Sequence, residues 1–181
     1  NLWVIKKNKD RRKIYTKKKL PSGKIFHQLI KNYNVGIVTT VIRKKYFLEL
    51  ENKFDVRFSI IGDFDLILRL SKLCHFESIQ MPLAFYRLHG KNLSTIRKEK
   101  EIEEYEIWLK ENKCNLNSSD LNIIQRYVNY RKFVNFKIDG NYKKCLNMFY
   151  KSKINLFSIK NLIIFITPTI LLKKLFWYHQ D

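Results

Sequence analysis

The sequence predicts two units in series: a mixed α/β unit over residues 1–97, built on a mixed sheet with helices, and a helical extension over 98–181. Two observations carry this. Before residue 97, short apolar and β-branched runs alternate with turn residues such as Asn8, Pro21-Ser22-Gly23 and Asn34. Beyond it, apolar residues recur every three or four positions within strongly charged sequence. No internal repeat and no low-complexity linker divides the chain.

Leu2–Ile5 and Lys13–Tyr15 flank the polar Asn8-Lys9-Asp10 and read as a hairpin. Residues 17–23 form a loop, and Ile25–Ile30 a short helix with Phe26, Leu29 and Ile30 inward. Val35–Ile42 is β-rich and apolar, so a buried strand is expected there. Tyr46–Leu50 is a helical turn, and a loop through Phe54-Asp55 leads to Gly62. From Asp63 to Leu73, the positions Phe64, Leu66, Ile67, Leu70 and Leu73 fit a mostly buried helix. Asp65 and Arg69 stand four apart, a spacing that allows pairing on its wet side. His75–Ile79 and Ala84–Arg87 read as strands.

In the extension, residues 98–112 place Ile102, Tyr105, Trp108 and Leu109 on one helical face. Ser118 or Ser119 can cap a second helix that ends at Gly140, and Tyr142 to Phe149 begins a third. Leu162–Leu172, with Thr167-Pro168 opening a new helix, is the most apolar stretch and too short to span a bilayer. With Lys173, Lys174, Phe176, Trp177 and Tyr178 behind it, the segment 162–178 suits either packing on neighbouring helices or a peripheral contact with an anionic membrane.

The chain has 181 residues, 45% of them hydrophobic, which supplies a core and excludes intrinsic disorder. Its net charge is +20, and residues 1–50 alone hold fourteen Lys or Arg against two acidic residues. Such an excess suits nucleic acid, an anionic membrane or a phosphorylated ligand, and equally a composition rich in Lys, Asn and Ile throughout. Cys74, Cys114 and Cys145 form no zinc or disulfide pattern and fit reduced thiols in the cytoplasm. His27, His75 and His179 read as packing or surface residues.

Two blocks carry chemistry. Gly62-Asp63-Phe64-Asp65-Leu66-Ile67-Leu68-Arg69 sets a carboxylate after a glycine at the mouth of an apolar helix. Read alone, both acids suit a first helical turn, where they cap or offset the dipole. Tyr86-Arg87-Leu88-His89-Gly90-Lys91-Asn92-Leu93-Ser94 sets a basic and polar cluster on a loop. In this order, the blocks resemble the acceptor-side half of family-two inverting glycosyltransferases of the GT-A fold. The first is similar to the motif that supplies their base, often continuing Asp-x-Asp-Leu-x-x-Arg; the second is similar to Tyr-Arg-x-His-x-x-Asn-x-Ser. Gly23-Lys24-Ile25-Phe26 and Thr39-Thr40-Val41-Ile42-Arg43 look familial as well. The resemblance covers residues 1–97 well and the helical extension only loosely.

The resemblance implies sugar transfer from a nucleotide-sugar donor to a hydroxyl of a glycan or lipid-linked acceptor, a polysaccharide or lipopolysaccharide precursor of the cell envelope. Asp63 would be the catalytic base, its basicity reduced by the helix dipole. Asp65, Arg87, Lys91 and Asn92 would contact acceptor or donor, although Asn92 also suits loop shaping. His89 would be a ligand of the divalent cation, Mg or Mn, or else a loop histidine bonded to backbone. Gly62 stands where many members carry Glu. Asp63-Phe64-Asp65 is not the family's metal-binding Asp-x-Asp, because an apolar helix follows it and no glycine-rich phosphate loop precedes it. No secretory leader pattern follows Asn1, and the nucleotide-binding half is not among these residues. The expectation is a carboxy-terminal portion of a longer enzyme, inactive by itself, cytoplasmic or peripheral on the inner face of the membrane. Nucleic acid is then not an expected partner. The rival is a non-enzymatic basic module that binds nucleic acid or anionic membrane through Lys6–Lys19 with Trp3 and Tyr15.

Overall fold

The computed structural model describes residues 1–6, 9–89, 97–151 and 159–172. The chain divides into two compact units, Asn1–Ser94 and Thr95–Asp181. The first is mixed α/β, dominated by helices around a small sheet; the described part of the second is helical.

The sheet has three strands in the order β2-β1-β3. Strands β1 (Trp3–Lys6) and β2 (Lys9–Ile14) pair antiparallel, Trp3 opposite Ile14 and Ile5 opposite Arg12, with a register shift between Ile5 and Lys6. The second strand therefore begins at Lys9, inside the segment expected to turn. β3 (Phe85–Leu88) joins the other edge of β1 in parallel, Val4 opposite Tyr86. A parallel partner requires a long crossover, and helices α1 (Phe26–Lys31), α2 (Lys44–Glu49) and α3 (Gly62–Leu73) lie within it.

Helix α3 explains the core. Phe64, Leu66, Ile67, Leu68 and Leu70 are all buried, which leaves little wet face, and Leu29 and Ile30 of α1 are buried too. Leu73, expected inside, is exposed at the helix end.

Two expected strands do not form. Over Val35–Ile42 the chain makes a 3-10 turn at Ile37–Thr39, and Val41 is 97% exposed. The carbonyl of Gly36 accepts from Thr39 N–H at 2.9 Å, from Thr39 Oγ1 at 2.9 Å and from Thr40 Oγ1 at 3.2 Å. These local bonds fold the segment back on Gly36 in place of pairing with a neighbouring strand, so β-propensity is overruled. His75–Ile79 makes only a single bridge, in which Gly23 and Phe76 exchange backbone hydrogen bonds of 2.7 and 2.9 Å. Gly23 adopts φ 93° there, a conformation open to glycine.

Gly36 owes its identity to close approach. A Cβ at this position would lie 2.5 Å from Cδ2 of the buried Leu2. Gly36→Ala is therefore expected to cost about 1–3 kcal/mol through overpacking, read as a lower urea midpoint. An unchanged midpoint would mean that Leu2 moves aside freely.

In the second unit, α4 (Lys98–Asn112) and α5 (Ser118–Ile138) pack through Ile102, Trp108, Leu109, Ile124 and Val128. Asn117, one residue before the expected Ser118 or Ser119, caps α5: its side chain accepts from Asp120 N–H at 2.8 Å. Glu101 of α4 pairs with Arg131 and accepts from the Tyr127 hydroxyl at 3.2 Å. Burial, then the adjacent Glu101 charge, pushes the Tyr127 phenol up to about 12. Helices α6 (Tyr142–Lys151) and α7 (Ile159–Ile166) complete the unit around Phe133, Val134, Cys145, Ile164 and Leu172. The buried Lys137 ammonium lies 4.4 Å above the Tyr142 ring and 5.4 Å above the Phe165 ring, a cation–π link across three helices. Among the described residues, no helix is long and apolar enough to cross a membrane.

Candidate functional site

Asp63 is the second residue of α3, after an N-cap position, Ile61, that offers no side-chain cap. Buried Phe58, Ile61 and Phe64 anchor this helix start in the core. The Asp63 carboxylate is half-buried, and its Oδ1 accepts from Phe64 N–H at 2.8 Å. Burial raises its pKa above the ordinary 3.8; the backbone N–H groups of Phe64 and Asp63 and the Tyr33 hydroxyl oppose this without cancelling it. The helix dipole was expected to depress this acid, and desolvation prevails instead. Tyr33 is held beside it by edge-on packing against Phe64, ring centroids 5.2 Å apart.

Tyr15 is the site residue that sequence reasoning missed as a partner of Asp63. It follows β2 and donates its backbone N–H to Leu2 O at 3.0 Å. Its phenol is raised by burial first, then by the charge of Asp63, then by Tyr86. One residue from each sequence block therefore acts on Tyr15. No periodicity could disclose this, because the meeting depends on β3 pairing in parallel with β1. Tyr15 also lines a cleft of about 800 Å³ together with Asn34, Thr40, Arg43, Tyr46 and Glu77. Asp63 is not in that lining, and Tyr15 is common to both surroundings.

Asp65, expected on a wet face as a substrate contact, is 6% exposed. Its Oδ2 accepts from Arg69 Nε at 2.9 Å and Nη2 at 2.7 Å, and Arg69 also donates to the carbonyls of Asn52 and Lys53. The pair forms as its spacing suggested, but it fastens the preceding loop onto α3. Gly62 leaves ordinary room: a Cβ there would lie 3.9 Å from Phe54 Cδ1 and Phe58 Cβ. The missing preceding carboxylate is therefore not imposed by crowding.

Arg87 is exposed on β3 opposite Ile5, and His89 is exposed just beyond that strand. Lys91 and Asn92 lie outside the described residues. Among the described residues, no three His, Cys, Asp or Glu side chains group to hold a metal ion. His89 thus has no such set around it, and the divalent cation implied by resemblance would need ligands from beyond these residues.

No family model, no curated protein and no solved structure matches this chain.

Proposed function

We propose that residues 1–97 are the acceptor-side half of an inverting glycosyltransferase of GT-A type, and that Asp63 is its base. The acceptor oxygen attacks the anomeric carbon of a nucleotide-sugar while its proton passes to the Asp63 carboxylate. The bond from that carbon to the diphosphate breaks, and its electron pair departs with the nucleotide. A single displacement of this kind inverts the anomeric centre. A carboxylate raised above its ordinary pKa is a stronger base at neutral pH.

The observation that supports this reading is the setting of Asp63: a half-buried carboxylate at the start of α3, anchored by buried Phe58, Ile61 and Phe64 and accepting from Phe64 N–H at 2.8 Å. The acceptor class, a glycan or lipid-linked precursor of the cell envelope, is what the resemblance implies, and the cleft lined by Tyr15 does not include Asp63. By the resemblance, Arg87, Lys91 and Asn92 would contact donor or acceptor, and a longer polypeptide would supply the nucleotide-binding half.

The test compares this chain with the longer polypeptide that carries the donor half. Sugar transfer from UDP-, GDP- or dTDP-sugars is expected from the longer polypeptide and not from the 181 residues alone. Transfer by the short chain, or none by the long one with any of these donors, overturns the reading.

A further inference from the structure

Among the described residues, helix α7 and the turn after it carry both buried and exposed apolar side chains. Ile164 is buried with Phe133, Val134 and Cys145, and Leu172 of the following turn joins the same core. By contrast, Ile163, Ile166, Ile170 and Leu171 are 58%, 69%, 74% and 51% exposed. Thr167 ends α7, its N–H reaching the Ile163 carbonyl at 2.9 Å, and the chain resumes helical bonding with Leu172 N–H on Pro168 O at 3.0 Å. Exposed aliphatic side chains therefore stand on both sides of this break, Ile163 and Ile166 before it and Ile170 and Leu171 after it. Branched aliphatic side chains so exposed are unfavourably hydrated, and any apolar cover that removes them from water is stabilising.

The charge of the sequence that carries these residues points to the cover. Residues 143–181 hold seven lysines, and Asp181 is their one acidic residue. Within the same unit, α4 carries six of the glutamates, so charge of opposite sign is segregated along the chain. A hydrogen bond of 2.8 Å between Tyr142 Oη and Thr169 Oγ1 brings the start of α6, with exposed Lys143 and Lys144, to the turn after α7.

We infer that these residues form a docking surface for an anionic lipid bilayer, with Ile163, Ile166, Ile170 and Leu171 in the acyl boundary and Lys143 and Lys144 on the headgroups. Nucleic acid would also attract lysine, but it stacks on aromatic rings and offers nothing to a row of aliphatic side chains. A second copy of the chain would bring the same positive charge to the interface. Eight residues of helix span about 12 Å, well short of a hydrocarbon core of about 30 Å. The helix thus lies along the surface. This inference is independent of the glycosyltransferase reading.

The test is co-sedimentation of the 181-residue chain with vesicles of phosphatidylglycerol and phosphatidylcholine, and with phosphatidylcholine alone. Binding to the anionic vesicles is expected, at least tenfold weaker for Ile166→Asp/Ile170→Asp, and several-fold weaker for Lys143→Glu/Lys144→Glu. Helix content by circular dichroism checks folding of each variant. Ile170→Trp, which keeps the surface apolar, gives a second readout: added emission quenched by brominated acyl chains on binding. Failure to bind the anionic vesicles overturns the inference, as does equal binding by the double aspartate variant or no quenching. Concentration-dependent dimerisation, or binding to single-stranded RNA, that the double aspartate variant abolishes would assign the surface to those partners and overturn it too.

Discussion

Asp63→Asn is expected to lower sugar transfer by about 10²–10⁴-fold in the polypeptide carrying both halves, without loss of folding stability. The substitution keeps an oxygen in place to accept from Phe64 N–H at the observed 2.8 Å. It removes the ability to take a proton. It also removes a charge that burial penalises, since desolvation is the leading cause of the raised Asp63 pKa. Between 3.8 and the folded-state value the native protein binds more protons than the unfolded chain. Stability therefore falls as pH rises through that window and stays level above it. The Asn variant should lack this slope and match or exceed the parent at pH 7. Activity runs the opposite way, because the ionised acid is the base: kcat/KM should rise with pH along a limb displaced above 3.8. If Asp63 only served the helix dipole, the variant would lose about 0.3–1 kcal/mol and transfer normally. Stability and transfer measured on one variant thus separate the two roles.

How far the residues disclosed this arrangement depends on what kind of interaction made each element. Long helices were legible because their apolar spacing is a local property: α3, α4 and α5 lie where periodicity put them. The antiparallel pair β1-β2 was legible for the same reason, since its partners are close in sequence. Val35–Ile42 misled because a β-branched run says what a strand would like, not whether a neighbour exists to pair with it. There, Thr39 and Thr40 bond back to Gly36 and close a turn. Asp65 misled because i,i+4 pairing is compatible with either face of a helix, and the loop at Asn52–Lys53 that covers it is far from it in pattern. At the candidate site, Asp63 could be named from its block, but its link to Tyr15 and Tyr86 could not. That link is made by a parallel strand contact between β1 and β3, residues some eighty positions apart.

Arg69→Ala is the stability counterpart, and its expected cost is large. Asp65 is buried, and Arg69 gives it two hydrogen bonds from a planar fork while donating two more to loop carbonyls. Removing one member of a buried pair costs about 3–5 kcal/mol, because the other charge stays in place. The Arg69 side chain is 29% exposed, so water can reach part of the vacated volume. A loss of about 2–3 kcal/mol in urea unfolding, with unchanged m-value, is the expected result. Arg69→Lys should recover only part of it, since an ammonium cannot hold a carboxylate and two carbonyls in one plane. Asp65→Leu/Arg69→Met should recover more, having no charge left to strand. The loop released by Arg69→Ala leads into Phe54 and Phe58, the two side chains that flank Gly62. Transfer should therefore fall along with stability although Arg69 touches no reacting atom, and the acid limb set by Asp63 should move. A cost below about 0.5 kcal/mol would place this pair with exposed ion pairs and remove the argument that it positions the start of α3.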